Sequence, residues 1–224
     1  MVALSSCKKC GGSGWLFNLE LSQAVRCGCH HPQTSSILGA SGIPDRFSKS
    51  KLSSLKPATE IEKESLAKLR KLFSFKKGIK FKTILIAGPP GVGKTHILCS
   101  ALGAAATSGV RIHYWDFPNL CREIRDRFTK GPTDIVGKAC KVSLLSLDNV
   151  GFGRASEFER SVINEIACSR YDLGLPTIYA TNYRPHSSAP PSGLGSRVSE
   201  HVYSRLTSEH IFILNGHDRR QAEQ

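Results

Sequence analysis

Long hydrophobic segments are absent from this sequence of 224 residues. Its most apolar stretches, of which 84–87 is an example, are far shorter than the roughly 20 residues that a membrane-spanning helix needs. The first residues, MVALSS, also lack the basic segment followed by an apolar one that marks a secretory signal. The sequence therefore predicts a cytoplasmic protein without a membrane partner.

Acidic residues are scarce relative to basic ones. The chain has 31 Lys and Arg against 18 Asp and Glu, which gives a formal net charge of +13 at pH 7. Such a surplus favours polyanionic partners, because each phosphate that Lys or Arg neutralises releases counterions. The same surplus is also compatible with a basic protein that binds no nucleic acid, so charge alone does not decide the question.

Cysteines, in contrast, are concentrated near the N-terminus. Two closely spaced pairs stand there, Cys7 with Cys10 and Cys27 with Cys29. In a reducing compartment such pairs are metal ligands more often than disulfides, and four thiolates complete one tetrahedral Zn²⁺ site. Since the segment is too short to build its own core, we predict that 1–31 is a structural or partner-docking zinc module stabilised by the metal.

The pattern after this module changes at residue 57. Residues 32–56 are rich in Ser, Pro, Gly and Lys and predict a linker, within which Ile43 and Phe47 are candidates to dock on the next domain. From 57 to 224, short apolar runs alternate with helical stretches, which predicts an α/β domain with a parallel sheet covered on both faces. Its predicted strands are 81–87, 110–115, 142–147, 175–181 and 210–214, and its predicted helices are 94–107, 117–129, 156–171 and 197–206, after an amphipathic helix that starts near Pro57. Only about ten residues follow the last predicted strand, so no large C-terminal helical lid is expected.

The most specific motif is GPPGVGKT at 88–95, which fits G-x-x-x-x-G-K-[ST] between a predicted strand and a predicted helix. Its glycines let backbone N–H groups turn toward phosphate oxygens, and the helix directs its positive end to the same place. Lys94 is predicted to reach the β and γ phosphates of ATP, and the Thr95 hydroxyl to bind Mg²⁺. The predicted nucleotide-binding residues are Gly88, Pro89, Pro90, Gly91, Val92, Gly93, Lys94, Thr95 and His96.

A P-loop of this kind also needs an acidic residue near the metal. Asp148 directly follows the apolar run 142–147 and is predicted to bind Mg²⁺, the alternative being a turn or a helix cap. Asn149 stands where ATPases of this class normally carry the acid that deprotonates the attacking water. An amide orients water but cannot accept its proton, so hydrolysis should be slow unless another carboxylate substitutes. Glu157 and Glu159 are the nearest candidates in sequence, although an acidic helix start explains both more simply.

Three further residues are candidates to respond to the γ-phosphate. Asn182 follows the strand 175–181 and faces that phosphate if this strand lies between the strands of the P-loop and Asp148; otherwise it belongs to an ordinary turn. Arg205 and Arg220 flank the last predicted strand, and a guanidinium aimed at the γ-phosphate stabilises transition-state charge. An isolated arginine would more simply be a surface charge, and it is the spacing from the last strand that favours these two. The predicted catalytic residues are Lys94, Asp148, Asn149, Asn182, Arg205 and Arg220.

Together these residues resemble the DnaC/DnaI/IstB group of AAA+ ATPases, especially short phage and bacterial helicase loaders. The resemblance implies that Asn182 is the sensor 1 residue, Arg205 the arginine finger and Arg220 the sensor 2 residue. Its departure is Asn149, where the family has Asp or Glu. The motifs that carry it are the cysteine-rich opening, Gly42-Ile-Pro-Asp-Arg-Phe47, GPPGVGKTH, 144–151, Ser169-Arg170-Tyr171, Ala180-Thr-Asn182, Ser204-Arg205-Leu206 and the Gly-x-Asp-x-Arg ending at Arg220.

The resemblance also implies partners. It predicts a slow ATPase switch that self-associates through its AAA+ domain, engages a DnaB-type replicative helicase through its N-terminal region and contacts single-stranded DNA through its core. Two alternatives stay open. An IstB-like transposition helper would coat duplex DNA, and an adaptor would bind ATP without hydrolysing it. The zinc module favours the loader, whereas Asn149 keeps the adaptor credible.

Overall fold

The computed structural model describes residues 15–18, 23–26, 41–75, 78–128, 134–185 and 193–220. Two short strands, β1 (Trp15–Asn18) and β2 (Gln23–Arg26), pair in antiparallel register within the predicted zinc module. The four candidate zinc ligands Cys7, Cys10, Cys27 and Cys29 lie outside the described residues, so the zinc site stays a prediction. In the described ranges, the apolar helices are all too short to cross a membrane.

Five parallel strands form the central sheet in the order β4-β5-β6-β3-β7. Each corresponds to one predicted strand, so the predicted parallel sheet is confirmed. Three of these strands are buried at every position, because helices cover both faces of the sheet. The strands are β3 (Thr83–Ala87), β4 (Ile112–Asp116), β5 (Leu144–Asp148), β6 (Thr177–Thr181) and β7 (His210–Ile213).

Most of the helices begin at residues whose side chains cap them, the exception being α2, which follows Gly93. Thr59 accepts a hydrogen bond from the Glu62 N–H, and Ser156 with Glu159 forms a capping box. One helix was not predicted, because its two turns are too short for a periodic pattern to show; the side chain of Asp134 caps it. The helices are α1 (Glu60–Leu72), α2 (Lys94–Thr107), α3 (Phe117–Phe128), α4 (Ile135–Lys141), α5 (Glu157–Asp172) and α6 (Glu200–Leu206), with short 3-10 helices at Asp45–Phe47, Leu52–Ser54 and Leu194–Ser196.

Part of the predicted linker belongs to the packed core. Over 41–56, Ile43 and Leu55 are buried and Phe47 packs partly buried beside them, so the expected docking of Ile43 and Phe47 is observed. These apolar residues are spaced irregularly among polar ones, which is why the sequence pattern indicated a tether. The domain boundary at residue 31 lies outside the described residues and stays a prediction.

Hydrophobic layers cover both faces of the sheet. Successive residues of a strand point to opposite faces, so Ile84 and Ile86 join the layer that includes α1 and α2, whereas Leu85 joins the layer that includes α5 and α6. Leu85 and Leu102 are among the fully buried side chains. Since parallel strands end at the same edge, this packing holds the polar residues that follow β3, β5 and β6 close to one another.

Candidate functional site

The loop after β3 has the backbone that a phosphate cradle needs. Gly91 and Gly93 have φ angles of +82° and +102°, a region that residues with a Cβ rarely adopt. A Cβ added at Gly91 would stand 2.0 Å from the Asp218 carboxylate, so this position also has no room for a side chain. Gly93 caps α2, whose first residue is Lys94. The loop therefore directs the free N–H groups of a helix N-terminus toward one point.

Lys94 lies inside this cradle. Its Nζ donates hydrogen bonds to the carbonyl oxygens of Gly88 at 2.8 Å and Pro89 at 2.7 Å. Burial lowers the pKa of Lys94 to about 8; the negative charge of Asp148 opposes that shift and the positive charge of Arg220 adds to it. The ammonium is thus held where phosphate oxygens would enter, with loop carbonyls as its present partners.

The side chains of Thr95 and Asp148 meet at the start of α2. Thr95 Oγ1 donates a hydrogen bond of 2.5 Å to Asp148 Oδ2, and the Tyr114 hydroxyl donates to the same oxygen at 2.9 Å. Burial and the Asp148 charge hold the pKa of Tyr114 far above its usual value, so its hydroxyl stays a donor. Hydroxyl and carboxylate oxygens are ligands that Mg²⁺ prefers, and a lysine cradle lies beside them, so these residues fit a magnesium–triphosphate group.

Asn149 and Asp116 form a contact that the sequence analysis missed. Asn149 Nδ2 donates to Asp116 Oδ1 at 2.6 Å, and the backbone at Asn149 is held at a φ of +58°. Asp116 ends β4 directly beside Asp148, which ends β5 in the same register. Its second oxygen accepts a hydrogen bond from the Asn119 N–H at the start of α3. The signal that identified Asp148, an acid closing an apolar strand, is also present at Asp116, but the predicted strand stopped one residue short.

The two glutamates proposed as substitutes for an acid at position 149 serve the start of α5. Glu159 Oε2 accepts a hydrogen bond of 2.9 Å from the Ser156 N–H, and its other oxygen lies 3.8 Å from the Arg125 guanidinium. Glu157 is an exposed residue of the first turn. Their contacts agree with the simpler interpretation, an acidic helix start.

Asn182 stands at the same edge as the cradle. β6 lies between β3 and β5, which is the condition on which its predicted sensor role depends. The preceding residue, Thr181, accepts a hydrogen bond of 3.2 Å from the Gly88 N–H, so the end of β6 adjoins the first residue of the P-loop. Half-buried at this position, Asn182 is close to the site, and its role as sensor 1 stays a prediction.

Arg205 lies away from the cradle of its own chain. Its guanidinium is 5.3 Å from the centre of the Tyr171 ring and donates a hydrogen bond to the His201 carbonyl. Tyr171 lies near the end of α5, which carries the chain from the carboxyl edge of the sheet back to its amino edge. Arg205 therefore lies toward the edge of the sheet opposite the cradle, and its role as arginine finger stays a prediction.

The segment after β7 returns to the P-loop. Arg220 Nε lies 3.4 Å from Asp218 Oδ1, and its charge contributes to lowering the pKa of Lys94. The adjacent Arg219, which the sequence analysis did not select, makes more contacts. Its N–H donates to the Gly91 carbonyl at 3.2 Å, its Nε donates to the Val92 carbonyl at 3.0 Å, and its guanidinium pairs with the buried carboxylate of Glu62. Arg219 thus ties the P-loop to α1.

His96 faces a different partner from the one predicted. Its Nε2 lies 2.9 Å from the Lys51 carbonyl oxygen and 3.1 Å from the Ser54 hydroxyl. The ring therefore fastens the 3-10 helix Leu52–Ser54 to α2. This contact accounts for a histidine at this place without a phosphate.

A cavity of about 790 Å³ opens beside Thr95 and Asp148, the predicted magnesium ligands. Its wall includes the side chains of Thr95, Asp116, Asp148 and Asn149, and it extends along the end of β4 toward residues 42–47. The two carboxylates and the amide therefore border one space next to the cradle, large enough for polar groups and ordered water.

The affinity for ATP is expected to fall as pH rises above 8. Phosphates favour the ammonium form of Lys94, so ATP binding raises the pKa of Lys94 from about 8. In alkaline solution Lys94 must therefore take up a proton when ATP binds, and this cost lowers the affinity. Affinity should be constant below roughly pH 7 and fall at most about tenfold per unit above pH 8. Calorimetry at pH 8.5 in two buffers of different ionisation enthalpy measures this uptake, and a value near zero would contradict the assignment.

The strand order and the cradle define the class. The P-loop follows β3, which lies beside the edge strand β7, and β6 separates β3 from β5, which ends in Asp148. This is the arrangement of an AAA+ P-loop ATPase, and solved structures share it. A crystal structure of the DnaC helicase loader superposes with a TM-score of 0.65 at 26% identity, over 76% of this chain and 99% of that chain. AMPPCP-bound DnaA from Aquifex aeolicus gives a TM-score of 0.63 at 22% identity, over 77% of this chain and 52% of that one, which supports the fold alone.

The family is narrower than this class. The model of the IstB-like ATP binding protein family matches residues 51–184, more than half of the chain, and the protein belongs to that family. The replicative helicase loader DnaC of Escherichia coli strain K12 is 24% identical over 103 residues, which are 45% of this chain and 42% of the relative. The match thus spans less than half the length of that curated relative. ATP binding follows from the family, in agreement with the Lys94 cradle.

Proposed function

We propose that this protein is an ATP-dependent loader of a DnaB-type replicative helicase, in which ATP binding and slow hydrolysis act as the switch. The likeness to DnaC supports it, because the matched region spans almost the whole of that solved chain. The cradle supports it further. Lys94, Thr95 and Asp148 are positioned for a magnesium–triphosphate group. The γ-phosphate of that group would distinguish the ATP-bound state of the protein from the ADP-bound state.

The contacts of Arg219 provide a route by which the rest of the chain responds to nucleotide. Its side chain joins the carbonyl of Val92 in the P-loop to the 1% exposed Glu62 of α1. Any shift of the loop on nucleotide binding would move a buried ion pair, and breaking such a pair is costly. Asn182, Arg205 and Arg220 are proposed as sensor 1, the arginine finger offered to a neighbouring copy, and sensor 2.

Three partners complete the proposal. The module 1–31 binds one Zn²⁺ through Cys7, Cys10, Cys27 and Cys29 and docks the helicase. The ATPase domains of neighbouring copies associate, which would bring Arg205, placed beside Tyr171 in its own chain, to the nucleotide of the next copy. Single-stranded DNA contacts the core, for which the charge of +13 provides the attraction.

A transposition helper that coats duplex DNA is the second candidate, because the matching family model is named for IstB. It differs from the loader in its partner, since its filaments would grow on duplex DNA in the absence of any helicase. An adaptor that binds ATP without hydrolysis is a third, and Asn149 is the feature that favours it.

Capture of the helicase tests the loader function. The tagged full-length protein, with zinc present, should retain the cognate hexameric replicative helicase when ATP is added, and the Lys94→Ala variant should retain much less of it. The matched control is Lys82→Ala, which removes an equal charge from the exposed residue that precedes β3. Retention of no helicase in either nucleotide state, with filaments forming on duplex DNA, would replace the loader by the transposition helper.

A further inference from the structure

The candidate site has no acid at position 149, where ATPases of this class carry the base. Asn149 follows the metal-binding Asp148, and its amide cannot take a proton from water. Asp148 itself accepts hydrogen bonds from Thr95, Tyr114 and the Asn149 N–H, so its oxygens are engaged at the magnesium position. If hydrolysis occurs here, another carboxylate must serve as the base.

Among the carboxylates that border the cavity in the described residues, Asp116 is the one that contacts the side-chain amide of Asn149, whereas Glu123 pairs with Arg127. Glu159 is held in its capping box, and Glu157 is exposed on the same helix start. Asp116, in contrast, borders the cavity that Thr95 and Asn149 also line. Its Oδ1 is 2.6 Å from the amide nitrogen of Asn149, the side chain that stands in the place of the missing acid. The acid and the amide are thus neighbours at the ends of adjacent strands.

We propose that Asp116 is the catalytic base for ATP hydrolysis and that, with ATP bound, the attacking water replaces the direct contact of the pair, oriented by the Asn149 amide and hydrogen-bonded to Asp116 Oδ1. This inference rests on the proposed ATPase switch. The water oxygen bonds to the γ-phosphorus, its proton passes to Asp116 Oδ1, and the bond from that phosphorus to the bridging oxygen breaks, so that ADP leaves with the electron pair. The base would then stand at the end of β4, one strand away from the place of the missing acid after β5.

The backbone conformation and contacts of this pair agree with these roles. Asn149 is held at a φ of +58°, which Asn and Asp tolerate better than longer side chains do. Asp116 is fixed by its second oxygen, which accepts from the Asn119 N–H, so Oδ1 is presented toward Asn149 in a defined direction. A mere helix cap would need only one of these two oxygens.

The Asp116→Asn variant tests the proposal. Asparagine keeps the volume and the cap, and it can still accept from Asn149, so only the basic carboxylate is lost. Single-turnover hydrolysis should fall roughly 100-fold or more, as expected for the loss of a general base. The affinity for a non-hydrolysable ATP analogue should change less than about threefold, because the cradle is untouched. The matched control is Asp134→Asn, which alters another acidic helix cap and should leave hydrolysis unchanged.

Exchange of the two side chains provides the rescue. The double variant Asp116→Asn with Asn149→Asp returns an acid to the end of β5 and keeps an amide–carboxylate pair, and its hydrolysis should recover to within about tenfold of wild type. A structural role of Asp116 predicts no such recovery. In nucleotide-free protein, the shifts in urea midpoint caused by Asp116→Ala and Asn149→Ala should also be non-additive, with the double variant losing less than the sum.

The outcomes separate this inference from the proposed function. Wild-type protein without affinity for ATP would contradict the nucleotide switch itself. ATP binding with hydrolysis equal in wild type and Asp116→Asn would overturn only the role of Asp116. ATP binding without any hydrolysis by wild type would overturn it as well and would support the adaptor. An additive result in urea would contradict the contact on which the inference stands.

Discussion

The Lys94→Ala variant is expected to lose ATP affinity by roughly 100-fold or more, since charge-assisted hydrogen bonds to phosphate contribute about 1.5–3 kcal/mol each. The Lys94 ammonium is buried and its present acceptors are two loop carbonyls, of Gly88 and Pro89. The oxygens of a bound triphosphate would accept these hydrogen bonds in place of the carbonyls, and their negative charge would neutralise the ammonium. Titration with a fluorescent ATP analogue, with magnesium present, measures the loss.

The Lys82→Ala control has the same change of charge outside the cradle, so its affinity for ATP should equal that of wild type. The loss in Lys94→Ala should also be local. The zinc content should stay near one per chain, because its predicted ligands Cys7, Cys10, Cys27 and Cys29 belong to a separate module. Simultaneous loss of ATP binding and zinc would contradict the division of the chain at residue 31. Undiminished ATP binding would contradict the assignment of the P-loop.

The sequence was most informative where structure depends on local pattern. The five strands of the sheet were located because buried parallel strands are continuous apolar runs, and the first helix of the P-loop was placed at 94–107, which are the bounds observed for α2. The cradle was recognisable for the same reason. Its glycines, lysine and threonine are consecutive, so spacing alone specifies their joint position.

Contacts between distant residues could not be predicted in this way. Tyr114 reaches Asp148 across 34 positions of the chain, and Arg219 reaches Glu62 across 157. Glu62 had an ordinary explanation as an acid in the first turn of a helix, and Arg219 was overlooked in favour of Arg220. Packing decides which of the two neighbouring arginines after β7 turns inward, and the sequence pattern contains no information on that packing.

The same limit explains why the sequence analysis missed Asp116 at the candidate site. The end of the predicted strand identified Asp148, and Asn149 showed that the usual acid is missing. The candidates to replace it, Glu157 and Glu159, were the next acids along the chain. The sheet places Asp116 nearer, because β4 pairs with β5 and both strands end in an acid at the same level. A polar residue at the end of each neighbouring strand is therefore the better place to search, since strand ends share one edge.

Arg170 is an equally hidden element, and its loss should have the largest effect on stability. Its guanidinium is fully buried, and burial lowers its pKa to about 10, so it remains charged at neutral pH. Within the described part of the chain it pairs with no carboxylate. Instead it donates to backbone carbonyls at the end of α4 and to groups at the start of β6, which are the oxygens of Ala139, Cys140, Val142, Pro176 and Thr177.

The Arg170→Met variant is expected to lower the free energy of unfolding by about 3–5 kcal/mol, because several buried acceptors lose their donor at about 1–3 kcal/mol each, offset in part by removal of a buried charge. For a chain of this size, a loss of 3 kcal/mol lowers the melting temperature by about 6–12 °C. Urea unfolding and thermal melting of the nucleotide-free protein measure both quantities. If Arg170→Met fails to fold, Arg170→Lys keeps a cation and should show a smaller loss.

The matched control is Arg70→Met. Arg70 also lies in the last turn of a helix, α1, so both substitutions remove one favourable charge from a helix C-terminus. Its side chain is exposed, and the effect should stay within about 0.5 kcal/mol. A similarly small effect at Arg170 would mean that its five acceptors find water when the guanidinium is absent. The expected contrast instead identifies Arg170 as the residue that joins α4 and α5 to the start of β6, at the edge of the sheet opposite the cradle.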